Sequence, residues 1–262
     1  MFSAVVLAGE RPGGSPLSRE LGLKASVLVD VAGKPAVQRV IEALSDAQSI
    51  SSGVLCGPVE QVFRDAPEFS AILANSDFSW LAPAAGPSAS AIKGVEKLDH
   101  YPVLLTSGDH ALLTAQLVDR FCRQALETGA DIVVGLTPWA IVQEAFPDSK
   151  RTVQHYSDGA FCGTNLFAVL NPDGLAALEF WQSVEAQRKR PWKIARKLGV
   201  GFLSRFLLRR VPLHEALQRL SGVTGCKADY VQINSARAAV DVDSVADQKL
   251  AESILSTESQ NG

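Results

Sequence analysis

The earliest residues able to do chemistry are Leu7-Ala8-Gly9-Glu10-Arg11-Pro12-Gly13-Gly14. Glycines let backbone N–H groups approach an anion closely, and Arg11 adds a fixed positive charge. A phosphate suits such a loop; an ordinary glycine-rich turn is the plain alternative. The pattern is neither the dinucleotide GxGxxG nor a Walker loop ending in GK[ST]. Gly33-Lys34-Pro35 also lacks the Walker hydroxyl and enters a helix through proline.

A second group is Ser107-Gly108-Asp109-His110. Ligands of open α/β sheets bind beyond the carboxyl ends of the strands, where a carboxylate can hold Mg²⁺ on a triphosphate. The alternative is a turn or helix-capping Asp. His110 reads as a neighbour rather than a ligand. The third group is Val240-Asp241-Val242-Asp243-Ser244-Val245-Ala246-Asp247. Asp241 and Asp243 are expected to point opposite ways along a short extended piece, so that one joins Asp109 at a metal. Helix capping accounts for the other, with Asp247 in the first turn of a closing helix.

These groups need a frame. Phe2 to Ala8 reads as a buried strand ended by Gly9, and Gly9 to Gly22 as a loop. Helices are expected over 35–47, 88–98 and 114–128, and strands over 53–56, 79–81, 102–106 and 131–136. The alternation predicts an α/β fold: a three-layer, Rossmann-like, mostly parallel sheet with helices on both faces. The pattern then changes. Ser157-Asp158-Gly159 reads as a hairpin turn between 152–156 and 161–169. Several helices follow over 172–220, then a strand over 227–233 and a helix over 244–254. The expected layout is one domain over 1–255, a basic helical insertion over 172–222, and a disordered tail over 256–262.

Apolar residues make up 47% of the 262 and charged residues 20%, which excludes global disorder. The net charge of −3 is unevenly placed. Residues 182–221 hold ten Lys/Arg against Glu185 and Glu215, a local +8 on a remainder of −11. Trp192, Phe202 and Phe206 interleave with these cations. That mixture suits an anionic membrane surface or a lipid-linked phosphate; a helical subdomain with a solvated basic face explains it equally. No nucleic-acid module accompanies the charge. Cys56, Cys122, Cys162 and Cys226 lack metal-ligand spacing and read as reduced thiols of a cytoplasmic protein. No stretch approaches the roughly 20 apolar residues that span a bilayer. The sequence carries no signal of oligomeric state.

In this order, the three groups resemble the molybdenum-cofactor guanylyltransferase type of nucleotidyltransferase, the MobA-like NTP transferases with a GT-A-like fold. LAGERPGGSPL is similar to the family's LAGG-x-GxR loop, with Glu10 replacing the second glycine of LAGG. VAGKPAVQRVIEAL resembles its G-x-P helix segment. GDHALL resembles its GDxPLL, and DVDSVADQ its C-terminal D-x-D/N-T-x-x-D. Ser88 matches the serine opening the family's third helix.

The resemblance implies Mg²⁺-dependent transfer of a nucleotidyl group from an NTP to a phosphorylated acceptor, with release of pyrophosphate. It implies GTP binding, although the residues leave the base open. Asp109 with Asp241 or Asp243 would hold Mg²⁺. Arg11 and Lys24 would act on the phosphates, and Leu7, Ala8, Gly9, Gly13 and Gly14 would form the nucleotide loop. Ser88 and Ser90 would line the base or ribose, and Arg151 and Asn165 would meet the acceptor. The acceptor would be a phosphorylated small molecule or a lipid-linked phosphate, with peripheral anionic membrane contact through 182–221. One departure stands out: the family's catalytic lysine falls on Ser26, two residues after Lys24. A GT-A glycosyltransferase, or a nucleotide-binding relative with weakened catalysis, is the alternative. A glycosyltransferase would carry its D-x-D after a mid-chain strand, where this chain has Gly108-Asp109-His110.

Overall fold

The computed structural model describes residues 1–10, 13–187 and 197–261, without the side chains of 258–261. Arg11 lies outside the described residues. So do Arg188, Lys189, Arg190, Trp192, Lys193 and Arg196 of the basic segment.

The strands are β1 (Phe2–Leu7), β2 (Asp30–Val31), β3 (Lys34–Pro35), β4 (Ile50–Cys56), β5 (Phe78–Leu81), β6 (Val103–Ser107), β7 (Ile132–Pro138), β8 (Val153–Tyr156), β9 (Gly159–Val169) and β10 (Ala228–Gln232). The main sheet runs β10-β7-β9-β6-β1-β4-β5, with β8 hairpinned onto β9 and β2-β3 forming a separate ribbon. The β5-β4-β1-β6 half is parallel, as the alternation predicts. β9 inserts antiparallel between β6 and β7, and β10 returns parallel to β7 at the edge. A bulge interrupts β9 opposite Val134–Leu136.

The helices are α1 (Pro16–Leu21), α2 (Ala36–Ser45), α3 (Glu60–Asp65), α4 (Pro67–Ala74), α5 (Pro87–Leu98), α6 (Ala115–Thr128), α7 (Trp139–Ala145), α8 (Leu175–Ala186), α9 (Val200–Leu207), α10 (Leu213–Thr224) and α11 (Val245–Asn261). α6 shows why such segments fold as they do. Thr114 caps its start, Val118, Phe121, Cys122 and Ala125 line one buried face, and Gly129 ends it in the left-handed region. Alternate residues of β1 feed opposite faces of the sheet: Ala4 and Val6 join α2, α4 and α6, while Val5 joins α5 and α8.

Three features add to the expected layout. α1 interrupts the loop read over Gly9 to Gly22, because Ser15 and Ser18 form a reciprocal capping box with Pro16 in the first turn. α11 continues to Asn261 through the residues expected to form a disordered tail, since no helix breaker precedes Gly262. Parts of the insertion are also built into the layers: α8 packs against α5, and α10 against β10.

Candidate active site

The carboxyl ends of β1, β4 and β6 meet. Leu7 pairs with Ser107, the Gly108 N–H donates to the Leu7 carbonyl at 2.8 Å, and the Ala8 N–H donates to the Cys56 carbonyl at 2.9 Å. Gly57 permits this approach. Its φ is +110°, and a Cβ there would lie 2.6 Å from the Ala8 carbonyl. Leu7, Ala8 and Gly9 therefore form a floor beside Asp109.

Beneath the site lies a small apolar cluster. Leu17 of α1, Val29 and Val31, Ala111 and Leu112 after Asp109, and Val240, Val242 and Ala251 pack together. This cluster brings the two ends of the chain to one place. The Val242 N–H then donates to the Asp109 carbonyl at 3.1 Å. Val242 is buried, so the acids on either side of it turn the other way, towards Asp109. The expected opposite orientation is thus corrected: residues two apart on an extended strand share a side.

The charges show the consequence. The Asp109 carboxyl is pushed up to about 7, chiefly by burial and then by the nearby negative charges of Asp241 and Asp243. The Ser107 hydroxyl opposes this by donating to it at 2.5 Å. Beside it, His110 is buried, and burial followed by the Arg237 charge pushes its pKa down to about 4. It is a neutral core side chain at neutral pH.

Arg151 lies among these acids. Its side chain is 6% exposed and bridges Asp241 and Asp247, at 2.5 Å to each. It also donates to Ser149 Oγ at 2.9 Å and to the Asp241 carbonyl at 3.1 Å. Arg151 therefore positions Asp241. Asp247 also accepts from Ser244 Oγ, and its own N–H donates back to that hydroxyl at 3.2 Å, so the capping expected at the closing helix is present. Asn165 sits at the β9 bulge with φ +52°, a conformation Asn tolerates.

The loop after β1 holds a contact that a purely local reading misses. The Glu10 carboxylate accepts the Ser15 N–H at 2.5 Å, the Ser26 N–H at 2.6 Å and the Ser18 hydroxyl at 3.2 Å. Gly13 and Gly14 follow at φ +84° and +81°. Ser26, at the position of the family lysine, thus meets the loop through its amide. The Lys24 ammonium donates instead to the carbonyl of Asp65 at the end of α3.

The two serines of α5 also have partners within the protein. Ser88 is 1% exposed, and its hydroxyl donates to Glu185 of α8. Ser90 Oγ accepts the Ala84 N–H at 2.9 Å. Both hydroxyls thus make a hydrogen bond within the protein. Glu185 stands 97 positions from Ser88, so no sequence spacing announces the contact.

The MobA-like NTP transferase domain family matches residues 4–156. The fold is similar to that of a hypothetical transferase from Thermus thermophilus, with a TM-score of 0.76 and 28% identity over 94% of this chain and 99% of that one. A CMP:2-keto-3-deoxy-manno-octonic acid synthetase complexed with CTP aligns at TM-score 0.62 and 11% identity, over 98% of this chain and 100% of that chain. The 4-diphosphocytidyl-2C-methyl-D-erythritol synthase from Anaerococcus prevotii aligns at 0.60 and 11%, over 97% and 96%. At 11% identity these last two show a shared fold. No curated protein matches the sequence. With more than half its length matched and the site assembled at the strand ends, the chain belongs to the MobA-like NTP transferase family of nucleotidyltransferases.

Proposed function

We propose that the protein transfers a nucleotidyl group from an NTP to a phosphorylated acceptor, in a reaction that depends on Mg²⁺. The observation that carries this reading is the partly buried Asp109 carboxyl just past the end of β6, pressed by Asp241 and Asp243. Carboxylates so arranged raise one another's pKa, and a divalent cation relieves that repulsion. Among the described residues no three His, Cys, Asp or Glu side chains form a ready-made metal nest. Mg²⁺ binds through one or two carboxylates and completes its octahedron with phosphates and water. Asp109 and Asp243 would hold it, with Asp241 beside them and steadied by Arg151. Bound Mg²⁺ supplies charge neutralisation on the triphosphate.

The protein's own residues position the reactants. Leu7 to Gly9 provide the floor, and the Gly13 and Gly14 amides line the phosphates. An acceptor phosphate oxygen forms the new bond to the α-phosphorus as the bond to the β-phosphate oxygen breaks and pyrophosphate leaves. Such chemistry rests on alignment and charge stabilisation. Asn165 is the remaining acceptor-side candidate. The nucleoside would lie along the first turn of α5 without using the Ser88 and Ser90 hydroxyls.

The reading includes a cytoplasmic setting, supported by four buried cysteines that are not paired with one another. It also includes peripheral contact with anionic membrane through the insertion. α9 has no buried residue, and Val200, Leu207 and Leu208 are 72%, 74% and 62% exposed beside exposed Arg209 and Arg210. Arg205, though exposed, pairs with Glu215 at 2.6 Å, and Phe206 packs edge-on against Tyr156. No helix among the described residues is long and apolar enough to cross a membrane.

A second reading, a nucleotide-binding relative with weakened turnover, is favoured by Glu10 in the loop and by the tie between Lys24 and Asp65. One experiment addresses both readings. Thermal shifts are measured with each of the four NTPs, with and without Mg²⁺. A ligand at 100 times its Kd stabilises the fold by about 2.7 kcal/mol. Asp109→Asn is expected to lose the Mg²⁺-dependent part of the shift. A variant that keeps all of it rules out Asp109 as a ligand. A wild-type shift without pyrophosphate release across a panel of phosphorylated acceptors favours the second reading.

A further inference from the structure

Away from Asp109, a cavity of about 280 Å³ lies between the β7-β9-β10 part of the sheet and helices α8 and α10. It sits towards the amino-terminal ends of β7 and β10, whereas the candidate active site occupies the carboxyl ends. Val134, Phe167, Trp181, Val184, Leu217 and Leu220 contribute most of its bulk. Among the described residues, Asp229 is the one charged member of its lining, and its carboxylate accepts the N–H of Tyr230 at 2.8 Å.

Protein interiors rarely leave voids larger than a water molecule. A water needs two to four polar partners, and among the described residues this lining is almost wholly apolar. An apolar ligand is the occupant that fits. Its other end is marked by charge. The Lys197 ammonium lies 5.7 Å over the ring of Phe180, which lines the cavity, and donates to Ser183 Oγ at 2.9 Å. The Ser183 hydroxyl donates in turn to the Phe180 carbonyl at 2.7 Å, so the group that can meet an anion at this rim is the Lys197 ammonium.

We propose that this cavity takes the hydrocarbon chain of a single-chain anionic amphiphile, with its phosphate or carboxylate head at Lys197. At about 30 Å³ for a water-sized group, the chamber holds about nine carbons. The site goes beyond nucleotidyl transfer and does not depend on it. Its position under α8 and α10 gives the helical insertion a role in holding lipid. The amphiphile can arrive as a monomer or from a bilayer, and the two sources separate experimentally.

The test is calorimetry on the full-length protein with alkyl phosphates of four to twelve carbons and with inorganic phosphate. Affinity is expected to rise about fourfold per added methylene. It should level off near nine carbons, and inorganic phosphate should not compete. Val184→Trp and Leu220→Trp, which fill the chamber, are expected to weaken decyl phosphate at least tenfold. Lys197→Glu should weaken decyl phosphate while leaving decanol unchanged. Unaltered NTP thermal shifts identify the variants that remain folded, and the wild-type chain-length series decides the matter even if none does. Affinity independent of chain length, or competition by inorganic phosphate at equal strength, overturns the proposal. Binding to anionic vesicles with no binding of monomeric decyl phosphate also overturns it, because the lipid contact would then lie on the surface.

Discussion

At Glu10 a carboxylate collects donors that a phosphate oxygen could otherwise use, tying the amides of Ser15 and Ser26 across the nucleotide loop. It therefore orders the loop and opposes the triphosphate at once. Glu10→Gln keeps an acceptor oxygen and removes the charge. NTP·Mg²⁺ affinity is expected to rise about fivefold, on the scale of about 1 kcal/mol for a charge pair near water. Calorimetric titration checks this, and an unchanged or weaker affinity would assign Glu10 to loop closure alone. The Lys24 prediction uses the same loop. If Lys24 leaves Asp65 to reach the phosphates during turnover, Lys24→Ala lowers the rate at least about tenfold, or about 1.4 kcal/mol. Exchanging the two residues, Lys24→Ser with Ser26→Lys, should retain or raise the rate. A harmless Lys24→Ala beside an inactive exchange would eliminate Lys24. The position of Asp109 just past a strand end was legible in the sequence, because the strand before it shows its apolar run. Asp241 was legible as an acid, but its partner Arg151, 90 positions away, was not, since a bridging guanidinium leaves no local spacing.

Among the elements, the edge of the sheet depends on one short residue. Asp131 opens β7, accepts Asn171 Nδ2 at 2.7 Å from the end of β9, and accepts the Lys227 N–H at 2.6 Å just before β10. These bonds hold its pKa below the ordinary 3.8. A lowered carboxylate pKa means that the unfolded chain binds more protons, so the contribution is full at neutral pH and fades on acidification. Asp131→Ala is expected to cost about 1 to 2 kcal/mol at pH 7. That difference from wild type should shrink as pH falls from about 5 towards 3. Urea titrations across this range measure it; a pH-independent difference would point to packing instead. The alternation to Leu136 was legible because two-residue and 3.6-residue periods differ over long segments. The short helices α3, α4 and α7 escaped, having too few turns to show a period. The antiparallel entry of β9 escaped as well, because strand order is a tertiary choice that patterning leaves open.

Over the whole molecule, charge and connectivity set behaviour that no single element does. The +8 of residues 182–221 on a chain of net −3 should make any membrane contact strongly dependent on salt. Co-sedimentation with anionic vesicles is expected to fall between low and high salt, and to drop further when Arg209 and Arg210 become Glu. Each basic residue near such a surface contributes about 1 kcal/mol. Equal recovery with neutral vesicles would remove membrane docking and leave a soluble acceptor. The bond from the Val242 N–H to the Asp109 carbonyl has a different reach, joining positions 133 residues apart. A chain emerging from the ribosome at about 5 to 20 residues per second presents Asp109 about 7 to 27 s before Val242 follows. Throughout that interval the β1-β6 half can pair while the acids meant to face one another are still apart. On the proposed metal assignment, no nucleotide–metal complex engages Asp109 and Asp243 together on the nascent chain during that interval, and gain of activity during refolding should report the arrival of the last strand and helix rather than formation of the first half.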